Sequence, residues 1–346
     1  MANQTIIIIF TSIEGIAQSL HNVYPDFPLQ EVKDEALSSH GGIVLFDPSA
    51  LRRESVAILK GAQILISEPA IVAKLLEHDA SALSSLQWCQ STHAGVNPIF
   101  DSSIALPLSF ELTRLAGCFG PPIAEWCIAR IVGHERNFAA SAKDQMSKYW
   151  GGSIDAVRGY RYLSSLTLSV LGCGDIGTTV AKAARTFGMR TVGYGKRSRN
   201  ADQKINGIDT YTTNITQALH AADYIVSVLP STPETRGLLN DDALLPASKR
   251  SGGKCPVFLN VGRGDVISEE SLLNALDNKW ISAAILDVFA VEPLPEGSAP
   301  GVDPTLSFHL IGLTQGNDVQ NVFMENHQRF LKGEVLKYSV DWEKGY

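Results

Sequence analysis

The chain has 346 residues, 45% of them hydrophobic and 19% charged, with a formal net charge of −7. These fractions exclude a disordered chain, and the length suits two domains better than one core. The acidic balance gives no basic face for nucleic acid or an anionic membrane. The five cysteines (Cys89, Cys118, Cys127, Cys173, Cys255) are scattered without a C-x-x-C pair, as reduced thiols are. No apolar run reaches the ~18 residues of a membrane span, and the Ile6–Phe10 run is too short for a signal segment. The expected location is the cytoplasm.

Residues 1 to about 113 alternate short apolar runs with helical patterns. Thr5–Phe10, Ile43–Phe46, Ala62–Ser67 and Leu86–Gln90 read as strands, and Ile13–Val23 and Ala70–His78 as helices. Strands alternating with helices predict βαβ units on a parallel sheet. At Gly117–Pro122 the pattern breaks, and a helical run begins that extends towards Tyr149. Its first part, Ile123–Val132, is apolar on more than one face, which suits a domain junction or a dimer interface.

A second series opens at Leu166. The apolar run Leu166–Leu171 predicts a buried strand, and Ile176, Val180, Ala183, Ala184 and Phe187 form the stripe of an amphipathic helix. Gly172, Gly174 and Gly177, in G-x-G-x-x-G spacing, lie between strand and helix, together with Asp175 and Ile176. In that position backbone N–H groups at a helix N-terminus would receive a dinucleotide pyrophosphate. The next strand, Thr191–Tyr194, ends where an NAD site carries a carboxylate for the ribose 2′-OH. Here stand Gly195, Lys196, Arg197, Ser198 and Arg199, a basic cluster suited to a 2′-phosphate, which predicts NADP(H) in preference to NAD(H). Further runs at Ala222–Leu229, Pro256–Val261 and Ile281–Val288 predict strands, and a last helix covers about Val319 to Leu331.

In order, LQWCQSTHAGVN, ELTRLAGCFGPPIAEW, LGCGDIG, LPSTPETRGLLN, NVGRGDV and LDVFAVEPLP resemble the motif series of the D-isomer-specific 2-hydroxyacid dehydrogenases, with the glyoxylate/hydroxypyruvate reductases nearest in character. The series runs from about residue 60 to the C-terminus. The resemblance implies an α/β chain of two Rossmann-like domains with parallel sheets. A cofactor domain at 117–317 would be inserted into a discontinuous substrate domain made of 1–116 and 318–346. It also implies a homodimer built on the cofactor domain, a small 2-oxo or 2-hydroxy acid as substrate in a cleft between domains, and no metal. The reaction would be NADPH-dependent reduction of a glyoxylate- or hydroxypyruvate-type acid to the D-2-hydroxy acid.

The resemblance assigns roles to particular residues. Arg263 would bind the substrate and stabilise the charge that develops as hydride arrives, since its guanidinium fork can engage a carboxylate and a carbonyl oxygen side by side. Glu292 would hydrogen-bond a catalytic histidine. Backbone N–H groups of Ala94, Gly95 and Val96 would hold the substrate carboxylate. Leu229, Pro230, Thr235, Val261, Gly262 and Asp287 would join the glycine turn and the basic cluster around the cofactor.

The sequence departs from the family at the histidine itself. Where a Thr-Pro-His run belongs, LSFHLIGLTQGNDV places Gly316 or Asn317 at the histidine position and Gln315 at the proline, while His309 corresponds to a residue before the strand. His93, in the carboxylate loop, is a candidate substitute proton donor. Without a histidine partner, Glu292 would turn to Arg263. The departure also opens a second reading, a weakened or inactive NADP(H)-binding member acting as sensor or scaffold.

Overall fold

The computed structural model describes residues 6–346 apart from 41–42, 152–157, 199–203, 250–253, 293, 295–305, 309–315, 344 and 346, and omits the side chains of 40, 43 and 306–308. The chain divides into two compact units, Met1–Cys118 with Gly312–Tyr346, and Phe119–Ile311.

The first unit is built on a parallel sheet of β1 (Ile7–Ile9), β2 (Leu29–Glu31), β5 (Ile64–Ser67), β6 (Trp88–Ser91) and β7 (Glu111–Thr113), in the order β2-β1-β5-β6-β7. Strands β1, β5 and β6 are buried along their whole length, which is why they read as continuous apolar runs instead of alternating ones. Helix Pro69–His78 starts on a proline and buries Ile71, Val72 and Leu75 against this sheet, in a core with Phe10, Leu65, Cys89 and Val96. Helix Ile16–Val23 buries Ile16, Ala17 and Leu20 and packs on the last helix, Gly316–Leu331.

Ile43–Phe46 is a strand, but not in the parallel sheet. As β4 it pairs antiparallel with β3 (Leu37–His40) in a separate ribbon. The Gly-Gly pair between the two runs is a hairpin signal, and a hairpin partner satisfies the backbone without a crossover.

The second unit carries β8 (Thr167–Leu171), β9 (Arg190–Tyr194), β10 (Thr210–Thr212), β11 (Tyr224–Ser227), β12 (Val257–Asn260), β13 (Ala283–Leu286) and β14 (Leu306–Phe308). All pair in parallel, in the order β10-β9-β8-β11-β12-β13-β14. The order reverses between β8 and β11, and such a switch point leaves a crevice at the C-terminal ends of the strands. Alternate residues feed two cores, one on each face. Leu168, Val170, Tyr224 and Val226 pack with helices Gly120–Glu135 and Asp175–Thr186, while Leu171, Ile225 and Phe258 pack with Ala218, Leu272 and Ala275.

The helical run expected to reach Tyr149 is two helices. Gly120–Glu135 ends before Asn137, whose φ of 51° is left-handed, and Phe138–Met146 follows. Asparagine is among the few residues that adopt that conformation at modest cost. Arg161 returns from beyond this region to clamp the unit. Its guanidinium bonds Glu135 Oε1 at 2.6 Å and Asp223 Oδ1 at 2.7 Å, and Tyr224 Oη donates to Glu135 Oε1 at 2.6 Å. Burial pushes the Glu135 carboxyl up, but the bonds from Arg161 and Tyr224 outweigh it and hold it below the ordinary carboxylate range.

Candidate active site

Five of the loops that leave the C-terminal edge of the second unit's sheet carry the candidate residues. The first follows β8. Gly172 has φ +105°, and a Cβ on Gly177 would stand 2.0 Å from the Gly172 carbonyl oxygen, so helix and turn touch backbone to backbone. Gly174 differs: nothing lies within 4 Å of where its Cβ would be. It is the exposed N-cap of helix Asp175–Thr186 and makes no side-chain cap bond, so the first N–H groups of that helix remain open to an anionic ligand. Ile176 is half-buried and Asp175 exposed.

The second loop follows β9. Lys196, Arg197 and Ser198 are exposed, and Lys196 Nζ lies 3.4 Å from Glu234. Tyr211 Oη donates to the Arg197 carbonyl at 2.7 Å. Arg199 lies outside the described residues. The third loop follows β11. Leu229 is buried, and the Thr235 hydroxyl is used within its own turn, donating to the Pro230 carbonyl and accepting from the Thr232 N–H at 2.9 Å.

The fourth loop, after β12, carries Val261, Gly262 and Arg263. The buried Asn260 side chain shapes it: Oδ1 accepts from the Gly262 N–H at 3.2 Å and Nδ2 donates to the Arg263 carbonyl at 3.0 Å. Arg263 Nη1 donates to the Gly262 carbonyl at 2.9 Å. Asp265 straps this turn to the third loop, accepting from Ser231 Oγ at 2.5 Å and lying 3.4 Å from Arg236. The fifth loop follows β13 and holds Asp287, half-buried, and Glu292, exposed. Gly264 joins the last two loops, since a Cβ there would fall 1.9 Å from the Phe289 carbonyl carbon.

Glu292 does not turn to Arg263. Its Oε1 accepts from the Phe289 N–H at 2.8 Å, closing its own turn. A carboxylate three residues from an open backbone N–H finds that donor without ordering a long arginine.

In the first unit, Ser91–Asn97 leaves β6. The His93 N–H donates to Ser91 Oγ at 3.0 Å and its carbonyl accepts from the Leu115 N–H at 3.0 Å, so the loop is pinned on both sides of the residue. Ala94 and Gly95 are half-buried. Val96 is buried in the core and so can offer a ligand only its backbone. His93 Nδ1 lies 3.0 Å from Thr92 Oγ1. Burial lowers the His93 imidazole below its ordinary pKa, against the charge of Glu68, which raises it. Glu68, 1% exposed at the end of β5, holds Ser12 N and Oγ through Oε1, and its Oε2 has no hydrogen-bond partner among the described residues.

Neither position of the absent histidine is vacant. Gly316 opens the last helix, and a Cβ there would stand 3.0 Å from Ser19 Oγ and 3.1 Å from the Gly15 carbonyl oxygen. Asn317 Oδ1 accepts from Ser19 Oγ at 2.9 Å. His309 and Gln315 lie outside the described residues.

The family model described as D-isomer specific 2-hydroxyacid dehydrogenase, NAD binding domain, matches residues 128–308, over half of the chain. The chain belongs to the D-isomer-specific 2-hydroxyacid dehydrogenase family. Members of this family are oxidoreductases acting on CH–OH groups. Glyoxylate/hydroxypyruvate reductase A of Klebsiella pneumoniae (strain 342) is 27% identical over 262 residues, covering 73% of this chain and 80% of that protein. Among solved structures, a family protein from Aeromonas salmonicida subsp. salmonicida A449 superposes with a TM-score of 0.79 at 27% identity, covering 98% of this chain and 99% of that one. An NADPH-dependent glyoxylate/hydroxypyruvate reductase from Sinorhizobium meliloti, solved with NADP and sulfate, has a TM-score of 0.77 at 22% identity over 99% and 100% of the two chains.

Asn260, Asp265 and Glu68 stand outside the residues expected from sequence. Asn260 and Asp265 flank the Gly-Arg-Gly turn, where a polar residue ending an apolar strand was the available signal. Nothing local marks Glu68, which only the fold buries. No helix of the described residues is long and apolar enough to cross a membrane, and no group of His, Cys, Asp and Glu among them could hold a metal ion.

Proposed function

We propose that the chain is an NADPH-dependent reductase of small 2-oxo acids of glyoxylate or hydroxypyruvate type, yielding the D-2-hydroxy acid. The observation that carries this reading is the gathering of the glycine turn, the basic Lys196–Ser198 turn and the Arg263 turn at one edge of one sheet, at its switch point. Residues 117–317 would be the cofactor domain, and 1–116 with 318–346 the substrate domain.

The open N–H groups of helix Asp175–Thr186 fit a pyrophosphate, and Lys196, Arg197 and Ser198, with Arg199, fit a 2′-phosphate. Bound nicotinamide nucleotide supplies the hydride. Ala94, Gly95 and Val96 hold the substrate carboxylate through backbone N–H groups, and Arg263 stabilises the oxyanion that develops on the carbonyl oxygen. His93 then gives its ring proton to the alkoxide; burial, only partly offset by the Glu68 charge, holds its imidazole below the ordinary histidine pKa and so favours this step on the acid side.

We also assign a homodimer to the second unit. One face of helix Gly120–Glu135 packs on helix Asp175–Thr186, while Ile128, Val132, Phe138 and Phe187 line a groove of about 1460 Å³. Phe138 is 58% and Phe187 51% exposed, an apolar area that a second copy would cover.

The test is NADPH and NADH oxidation over a panel of glyoxylate, hydroxypyruvate and pyruvate. Turnover with NADPH, cut roughly 10²–10³-fold by Arg263→Ala, is expected. Tight NADPH binding without turnover of any 2-oxo acid would return the sensor or scaffold reading.

A further inference from the structure

We propose that Tyr211 is a specificity-determining residue: its ring fixes the Gly195–Ser198 turn in the form that receives a 2′-phosphate and bars a carboxylate from position 195. The proposal rests on the NADP(H) reading above. β10 is the edge strand, with Tyr211 opposite Gly193 and Thr212 opposite Tyr194. From there two bonds reach the turn: the Gly195 N–H donates to the Thr212 carbonyl at 3.2 Å, and Tyr211 Oη donates to the Arg197 carbonyl at 2.7 Å. The Lys196–Glu234 contact at 3.4 Å lies between exposed side chains and holds little. The turn therefore takes its shape from β10.

Position 195 is where an NAD-selecting acid would stand. A Cβ on Gly195 would fall 2.4 Å from Tyr211 Oη and 3.3 Å from two ring carbons. An untethered ring could swing aside. This one is tied to the Arg197 carbonyl, so relief requires the whole ring to leave and the turn to lose its anchor. One side chain thus enforces both halves of the preference. It keeps the repelling carboxylate out, and it sets the backbone from which Lys196, Arg197 and Ser198 project.

The experiment is fluorescence titration of the full chain with NADPH and with NADH, alongside the melting temperature. Tyr211→Phe keeps the ring and loses the bond. NADPH should bind roughly 2- to 10-fold more weakly, with NADH binding and melting unchanged. Gly195→Asp should gain no NADH affinity, because the ring blocks it, whereas Gly195→Asp with Tyr211→Ala should gain several-fold over Gly195→Asp. An unchanged NADPH-to-NADH ratio in Tyr211→Phe, or equal NADH binding by the single and double variants, overturns the proposal. If the wild type binds the two nucleotides alike, the NADP(H) reading fails, and the Gly195→Asp pair still judges the steric part.

Discussion

Gly264→Ala tests whether the Arg263 and Glu292 turns are pressed into one unit. The new methyl would meet the Phe289 carbonyl carbon at 1.9 Å, its oxygen at 2.0 Å and the Ala290 nitrogen at 2.4 Å. All three are backbone, so no rotamer change relieves the clash and the loops must part by an ångström or more. Overpacking of this kind costs ~1–3 kcal/mol, and backbone obstacles place it at the upper end. For a unit of this size that is a melting temperature lower by roughly 4–12 °C. A chain with a stability of ~5–15 kcal/mol stays folded at room temperature after such a loss. Activity should fall further than folding explains, because ~1 Å of misplacement costs on the order of 10²-fold. The assay is a thermal melt beside kcat/KM for NADPH-dependent glyoxylate reduction. Gly174→Ala serves as the control, since its Cβ meets nothing within 4 Å. A Gly264→Ala protein with wild-type melting and wild-type kcat/KM would show that the two turns are not pressed together.

Arg161→Met strands two buried carboxylates, Glu135 and Asp223, whose side chains are 5% and 3% exposed, and should lower stability by ~3–5 kcal/mol in urea melts. The Glu135 carboxyl is held below its unfolded value, so its contribution is fully present above the unfolded pKa and lost as pH falls through the folded one. That acid-side loss should be seen in wild type below about pH 4.3 and be blunted in Arg161→Met. Gly316→His should lower the melting temperature without raising activity, because its Cβ meets Ser19 and the Gly15 carbonyl at 3.0 and 3.1 Å. In the wild type, kcat should fall as pH rises through a pKa below the ordinary ~6.5 of histidine, since burial lowers His93. His93→Gln should lose ~10²–10⁴-fold and flatten that limb; an unchanged pH profile would remove His93 from the chemistry.

Much of the site was legible because it sits in local punctuation. A buried apolar run, glycines at fixed spacing and a 3.6-residue stripe mark a strand, turn and helix wherever they fold, and Leu166–Phe187 did so. The basic turn was legible for the same reason, since the identity of the residues after β9 needs no tertiary contact. The Ile43–Phe46 ribbon was misplaced because an apolar run does not state its partner, and the helix after Pro122 was overextended because periodicity continues through a single left-handed asparagine.

The residue order alone specifies the set of turns and the chemistry each can offer: open N–H groups, cations without an acid, an arginine between glycines. Packing settles which atoms can use that chemistry. Tyr211 is 14 residues from Arg197 and Asn326 lies 236 from Gln90, yet each pair is hydrogen-bonded. Glu68 becomes a buried carboxylate, and Gly316 a position without room for histidine, only once strands and helices distant in sequence close around them. Spacing along the chain encodes local geometry, whereas exclusion and desolvation are properties of the packed neighbourhood.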